Sequence, residues 1–162
     1  MNLGHILFSF SGRINRAKWW LSILVTFIIA IVVVVLTEVV KSDPLTIALN
    51  LAYTVISLWI GLAAGAKRLH DLNRSGAWLI FFIGAPFLLT IIFLAVAGVA
   101  VGTGILTGQT PSEAEMLRIG WIGIVYILAI LGIGIWSLIW FGCLRGTVGP
   151  NQYGPDPLEG KI

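Results

Sequence analysis

Four apolar stretches, each long enough to cross a bilayer, take up most of this sequence, at about residues 19–40, 44–66, 77–101 and 119–144. A run of roughly 20 residues rising 1.5 Å each covers the ~30 Å hydrocarbon thickness, and only helices or closed barrels satisfy their backbone there. The predicted fold is therefore all-α and polytopic, with four transmembrane helices. Basic residues fall on alternate sides of these spans. Arg13, Arg16 and Lys18 precede the first, Lys67, Arg68 and Arg74 lie between the second and third, and Arg145 follows the fourth, leaving Lys41 and Arg118 opposite. Positive-inside bias makes the clustered face cytoplasmic, and with it both termini.

Composition excludes a soluble fold. Apolar residues make up 58% of the chain and charged residues 10%, against about 25% charged in soluble proteins, and the mean hydropathy is +1.00. The 162 residues read as a single membrane domain. It has a cytoplasmic N-terminal segment 1–18, a cytoplasmic loop 67–76, an outer loop 102–118 and a cytoplasmic tail 145–162. The net charge of +3 sits beside the spans, so it points to the membrane surface and not to nucleic acid. The single cysteine, Cys143, excludes an internal disulfide and reads as a small apolar residue at the inner end of the last span.

Local signals refine the spans. The first apolar run outlasts the roughly 7–15 residues of a signal peptide core, so it reads as a retained helix. Asp43 before Pro44 reads as an N-cap with proline at the first helical position. Pro86 inside the third span predicts a kink near Gly84. Thr110, Pro111, Ser112 and Glu113 read as a capping box opening the fourth helix. Gly61 with Gly65, and Gly98 with Gly102, are spaced for close helix contact. Trp19, Trp20, Trp78, Trp121 and Trp140 fall near span ends, where interfacial indoles collect. Arg16 before Trp20 and Arg74 before Trp78 repeat a four-residue spacing that on a continuous helix brings guanidinium and indole together.

No Asp, Glu, Lys, Arg or His falls near a bilayer midplane, and Glu38 lies towards the outer end of its helix. Ion-coupled transport has no evident carrier. Polar side chains gather instead on the inner rim, in three segments: Gly12, Arg13, Asn15 and Arg16; Arg68, His70, Asp71, Asn73, Arg74 and Ser75; and Asn151, Tyr153 and Asp156.

The strings Phe10–Trp20 (FSGRINRAKWW), Lys67–Trp78 (KRLHDLNRSGAW) and Gly149–Pro157 (GPNQYGPDP) resemble the three signature blocks of the YhaH/YhaI-like bacterial inner-membrane family, domain of unknown function 805. The resemblance runs in order along nearly the whole chain. It implies a multi-pass protein of the bacterial inner membrane, with the three segments at one rim, and it implies no activity. Lys18 departs from the family pattern, which carries an acidic residue there.

Metal or catalytic chemistry finds little support. His70 and Asp71 are adjacent, so on a helix they point about 100° apart. His5 is the only other histidine, and Asp156 and Glu159 are the only other inner carboxylates. No catalytic residue, metal or cofactor is expected. Ser75 reads as the N-cap of the third span, with no base to make it a nucleophile. Asp71 is expected to pair with Arg13, Arg16 or Arg68, so that Gly12, His70, Asp71, Asn151, Tyr153 and Asp156 clasp the rim together.

The arginines exceed what Asp71 neutralises, and guanidinium forks match phosphate geometry. Arg13, Arg16, Arg68 and Arg74 are thus the candidate anion-binding residues. The chain reads as a non-enzymatic binding or adaptor module in the lipid bilayer, engaging anionic phospholipid, a small ligand, a protein partner or a second copy of itself. A small oligomeric transporter or channel is the alternative, and a phospholipid-acting enzyme a distant third.

Overall fold

The computed structural model describes residues 2–108 and 112–159. Helices α1 (Leu3–Phe8), α2 (Arg16–Val40), α3 (Asp43–Asp71), α4 (Trp78–Thr107) and α5 (Glu113–Leu138) follow in order, and a π-helical turn (Ile139–Cys143) continues α5. Among the described residues there is no strand, only an isolated bridge between Asn151 and Gly154. Four helical segments, Arg16–Val40, Asp43–Asp71, Trp78–Val99 and Glu113–Cys143, are long and apolar enough to cross a membrane. Their outward apolar side chains fit lipid as solvent: Phe27, Val39, Val55, Ile80 and Phe87 are 61–75% exposed. The protein is an all-helical, multi-pass membrane protein.

The chain forms two compact units, Met1–Leu79 with Ile139–Ile162, and Ile80–Leu138. In the first, α2 and α3 make a hairpin that packs α1 near the end where α2 starts and α3 finishes. Ile6, Leu7 and Ile60 form the apolar centre, with Val25 and Ile29 against them. The short α1 was not evident as a helix in the sequence. It is held because Lys67 Nζ donates to the carbonyls of His5 (2.6 Å) and Ile6 (2.7 Å), and Trp59 Nε1 donates to that of Phe8 at 3.2 Å. These bonds satisfy the carbonyls at its C-terminal end.

Lys41, in the left-handed conformation (φ 47°), ends α2, and Ser42 is the N-cap of α3. The Asp43 cap expected from sequence is therefore displaced by one residue. The Ser42 carbonyl already accepts the Thr46 amide at 2.8 Å, and Asp43 instead places its charge in the first turn, where the helix dipole favours it.

At its other end α3 runs past its apolar stretch to Asp71, through residues that read as loop. It stops in a Schellman motif: Arg74 N donates to Leu69 O (2.8 Å) and Asn73 N to His70 O (3.0 Å), with Asn73 at φ 56°. Ser75 Oγ then accepts the Ala77 amide at 3.2 Å just before α4. Leu79 lies over Gly65, where a Cβ would come within 2.8 Å of its Cδ2.

In the second unit, α4 is unbroken through Pro86. Thr90 Oγ1 donates to the Pro86 carbonyl at 2.8 Å and lies 3.0 Å from Tyr126 Oη. The Phe93 and Tyr126 rings stack at 4.7 Å, and Phe81 and Phe82 pack edge-on against Trp136 at 5.3 and 5.8 Å, so a hydroxyl pair and several ring pairs join α4 to α5. The start of α5 differs from the sequence reading. The box is formed by Ser112 and Glu115: Ser112 N donates to Glu115 Oε2 (2.8 Å) and Glu115 N to Ser112 Oγ (3.3 Å). Thr110 and Pro111 lie outside the described residues. A second Thr/Ser-x-x-Glu pattern, Ser112 with Glu115, begins two residues further on and caps the helix start.

Candidate functional site: an arginine clasp

The first unit brings the three polar segments together around Asp71, the last residue of α3. Its carboxylate accepts from two guanidiniums. Arg13 Nη2 lies 3.1 Å from Oδ1, and Arg68 Nη1 lies 2.5 Å from Oδ2. All three are buried, at 3%, 0% and 3% exposure for Arg13, Arg68 and Asp71. Two positive charges are thus held out of water against one negative charge, an arrangement that stands only if the remaining N–H groups find acceptors.

They find them in backbone carbonyls. Arg13 Nη1 donates to Gly149 O (2.7 Å) and Gly154 O (3.2 Å), Nη2 donates to Thr147 O (2.6 Å), and Nε donates to Asp71 Oδ1 (3.2 Å). The guanidinium's five N–H groups are spent. Arg68 Nε donates to Phe141 O at 2.8 Å, and Nη2 donates to Leu144 O.

The π turn explains why those carbonyls are available. A wider turn, with Leu144 N donating to Ile139 O at 3.0 Å, ends the last helix, and the final carbonyls of any helix need outside donors. Four consecutive carbonyls receive them. Besides the two held by Arg68, Gly142 O accepts from Trp20 Nε1 (3.3 Å) and Cys143 O from Arg16 Nη1 (3.2 Å). Two guanidiniums at a helix C-terminus also suit its dipole.

The tail closes over this core. Thr147 N (2.8 Å) and Oγ1 (3.0 Å) both donate to Asp71 O. Asn151 Nδ2 donates to His70 O and to Thr147 Oγ1, each at 2.9 Å. The Tyr153 ring stacks on His70 at 4.0 Å and 5°. His70 Nδ1 lies 3.2 Å from Gly12 O, which accepts only, so the nitrogen carries the proton.

Asp156 accepts the amides of Gly149 through Oδ2 and Leu158 through Oδ1, each at 2.9 Å. These bonds, the Leu158 one first, hold its carboxyl below the usual aspartate range. Ionised Asp156 therefore favours the docked tail at neutral and mildly acidic pH, and that contribution is lost only as pH falls through the depressed value. Hydrogen-exchange protection of the Gly149 and Leu158 amides is expected to persist well into the acid range and then fade. In Asp156→Asn it should be weaker and should not change across that range. Equal acid sensitivity in both proteins would refute the assignment.

The expected site residues thus divide. Arg13, Arg68 and Asp71 form the core, and Gly12, His70, Asn151, Tyr153 and Asp156 surround it. Arg16 caps Cys143 O at the exposed edge. Arg74 stands apart, in the turn before α4, with its guanidinium 5.9 Å from the Trp140 ring. Arg74 precedes the helix, so four-residue helical spacing to Trp78 does not apply, and Trp78 packs on Trp140 at 5.4 Å. Thr147 and Gly146 carried no sequence signal. Lys67 was read only as part of a charge cluster. Among the described residues no three His, Cys, Asp or Glu side chains gather as metal ligands would.

Comparison with known proteins places this architecture. Residues 7–106 match the family described as Protein of unknown function (DUF805). From Escherichia coli (strain K12), the uncharacterized protein YiiR is 33% identical over 161 residues, covering 99% of this chain and 94% of its own length. The inner membrane protein YhaI is 28% identical, covering 94% and 88%. The inner membrane protein YhaH is 26% identical, covering 91% and 86%. No solved structure matches the chain.

Proposed function

Because the chain belongs to the DUF805 family, some of whose relatives carry the name inner membrane protein, we propose that it is a non-enzymatic binding module of the bacterial inner membrane that engages anionic phospholipid at its cytoplasmic rim. The observation that carries this reading is the division of labour among the arginines. Arg13 and Arg68 are buried against Asp71 and backbone carbonyls, while Arg16, Arg74 and Arg145 of the same unit remain exposed. The buried pair hold the rim in one shape, and the exposed three give it its positive surface. Juxtamembrane basic residues gain about 1 kcal/mol each from anionic lipid. The positive-inside rule assigns this rim, and both ends of the chain, to the cytoplasm. Asp71 and His70 are locked by ion pairs, stacking and hydrogen bonds, which suits a counter-ion and a spacer better than groups that exchange protons with a substrate.

Nanodiscs made from a mixture of phosphatidylcholine and phosphatidylglycerol provide the test. Native mass spectrometry of protein released from them is expected to show phosphatidylglycerol retained several-fold above its share of the bilayer, as three exposed arginines imply. Retention in proportion to the mixture would overturn the reading.

A further inference from the structure

We propose that a cavity in the first unit, between the start of α2 and the segment following the π turn, is a phosphate-ester site with Arg16 and Arg145 as its recognition residues. It deepens the anionic-rim reading and rests on it. The cavity measures about 290 Å³ and is lined by Asn15, Arg16, Asp71, Arg145–Val148, Asp156 and Leu158. That volume lies at the lower edge of the roughly 300–1,000 Å³ of small-molecule sites, enough for an ester headgroup and more than a lone ion needs.

The charges set the sign of the ligand. Both acids in the wall are already engaged, Asp71 by Arg13 and Arg68 and Asp156 by the Gly149 and Leu158 amides. Counting the residues at and directly behind the wall, four arginines (13, 16, 68, 145) face two aspartates (71, 156), a net of +2. The two arginines in the wall also have donors to spare at an exposed surface, whereas Arg68 is wholly buried. Arg16 makes one hydrogen bond, to Cys143 O, and Arg145 makes none among the described residues. Asn15 uses its side-chain oxygen to cap α2, accepting from Lys18 N at 3.0 Å, which leaves its amide N–H groups available. Val148 and Leu158 supply apolar wall for the carbon side of an ester. Arg74 does not line the cavity, and this separates the site from general rim charge.

The same chemistry fits a phospholipid headgroup or a free phosphate ester, and two arms distinguish them. In one, the protein is placed in phosphatidylcholine nanodiscs containing a minority of phosphatidylglycerol, and retained lipid is read by native mass spectrometry. In the other, protein in phosphatidylcholine alone is titrated with inorganic phosphate and with glycerol 3-phosphate. Each arm compares wild type, Arg145→Gln, Arg16→Gln with Arg145→Gln, and Arg74→Gln. Among the described residues Arg145 makes no hydrogen bond or ion pair, so its single substitution tests the site with every bond of the clasp left in place. A loss of roughly tenfold or more in the double variant, the scale of one or two charge-assisted hydrogen bonds, with a clear part of it in Arg145→Gln and a smaller loss in Arg74→Gln, the share of general rim charge, establishes the site. The arm in which it occurs identifies the source. Equal loss in Arg74→Gln and Arg145→Gln overturns the cavity and leaves the anionic rim standing. No anion preference in wild type in either arm overturns both.

Discussion

Replacing Asp71 by asparagine is expected to destabilise the protein by about 3–5 kcal/mol, the usual cost of breaking a buried ion pair from one side. The substitution barely changes volume, so the loss reports charge. Arg13 and Arg68, 3% and 0% exposed, would be left as two buried cations with no counter-ion, repelling each other and unable to reach water. The asparagine would also present an amide donor to one of the two guanidiniums, where both carboxylate oxygens now accept. The cheapest relief is for Arg13 to leave, and it would take with it the bonds to Thr147, Gly149 and Gly154 that dock the tail. Two readouts should therefore move together. The melting temperature in detergent should fall by on the order of 10 °C, and the segment after the π turn should become cleavable by protease. An unchanged melt would mean that the triad, though buried, contributes nothing net, and would remove the reason for calling it a clasp.

What the sequence made legible follows from which forces act on residue type alone. Four spanning helices were readable because lipid accepts only long apolar helices or closed barrels, and that demand falls on composition. The grouping of Phe10–Trp20, Lys67–Trp78 and Gly149–Pro157 was readable as a family pattern. The division of the arginines was not. Arg13 and Arg16 stand three residues apart with the same chemistry, yet one is buried with every donor spent and the other lines a cavity. Only the placement of Asp71 and the tail carbonyls separates them.

The α3 extension was missed for a related reason. Hydropathy marks where hydrocarbon ends, whereas the helix ends only at Asp71, just before the left-handed Asn73, and the polar turns between them are buried by other parts of the same chain. The π turn left no trace because its acceptors are backbone carbonyls, which every residue carries. At the start of α5 two overlapping Thr/Ser-x-x-Glu patterns compete, and the sequence alone does not choose between Thr110 and Ser112.

Gly146 is where packing, without charge, is expected to open the same clasp. A Cβ built there would overlap Asp71 Oδ2 and come within 2.5 Å of Cγ and 2.8 Å of Oδ1. Ordinarily a side chain would swing aside, but this carboxylate is pinned between Arg13 and Arg68 and has nowhere to retreat without breaking one of them. The strain must then move the backbone of the tail. That pulls Thr147 from Asp71 O, which it holds by both its amide and its hydroxyl. Gly146→Ala should therefore cost about 1–3 kcal/mol, the range for overpacking a filled site, although alanine adds one methyl group to a residue the sequence leaves unremarkable. Because no charge changes, the loss should be insensitive to salt. It should appear first as faster amide exchange at Thr147 and Gly149, with α2 and the body of α3 unaffected. Normal protection at Thr147 in Gly146→Ala would show that the tail does not rest on Asp71 at all. A loss that salt reverses would trace the effect to electrostatics and away from contact. Loss at Thr147 in both Gly146→Ala and Asp71→Asn, one neutral and one charged, would locate the keystone of the rim at the Asp71 carboxylate.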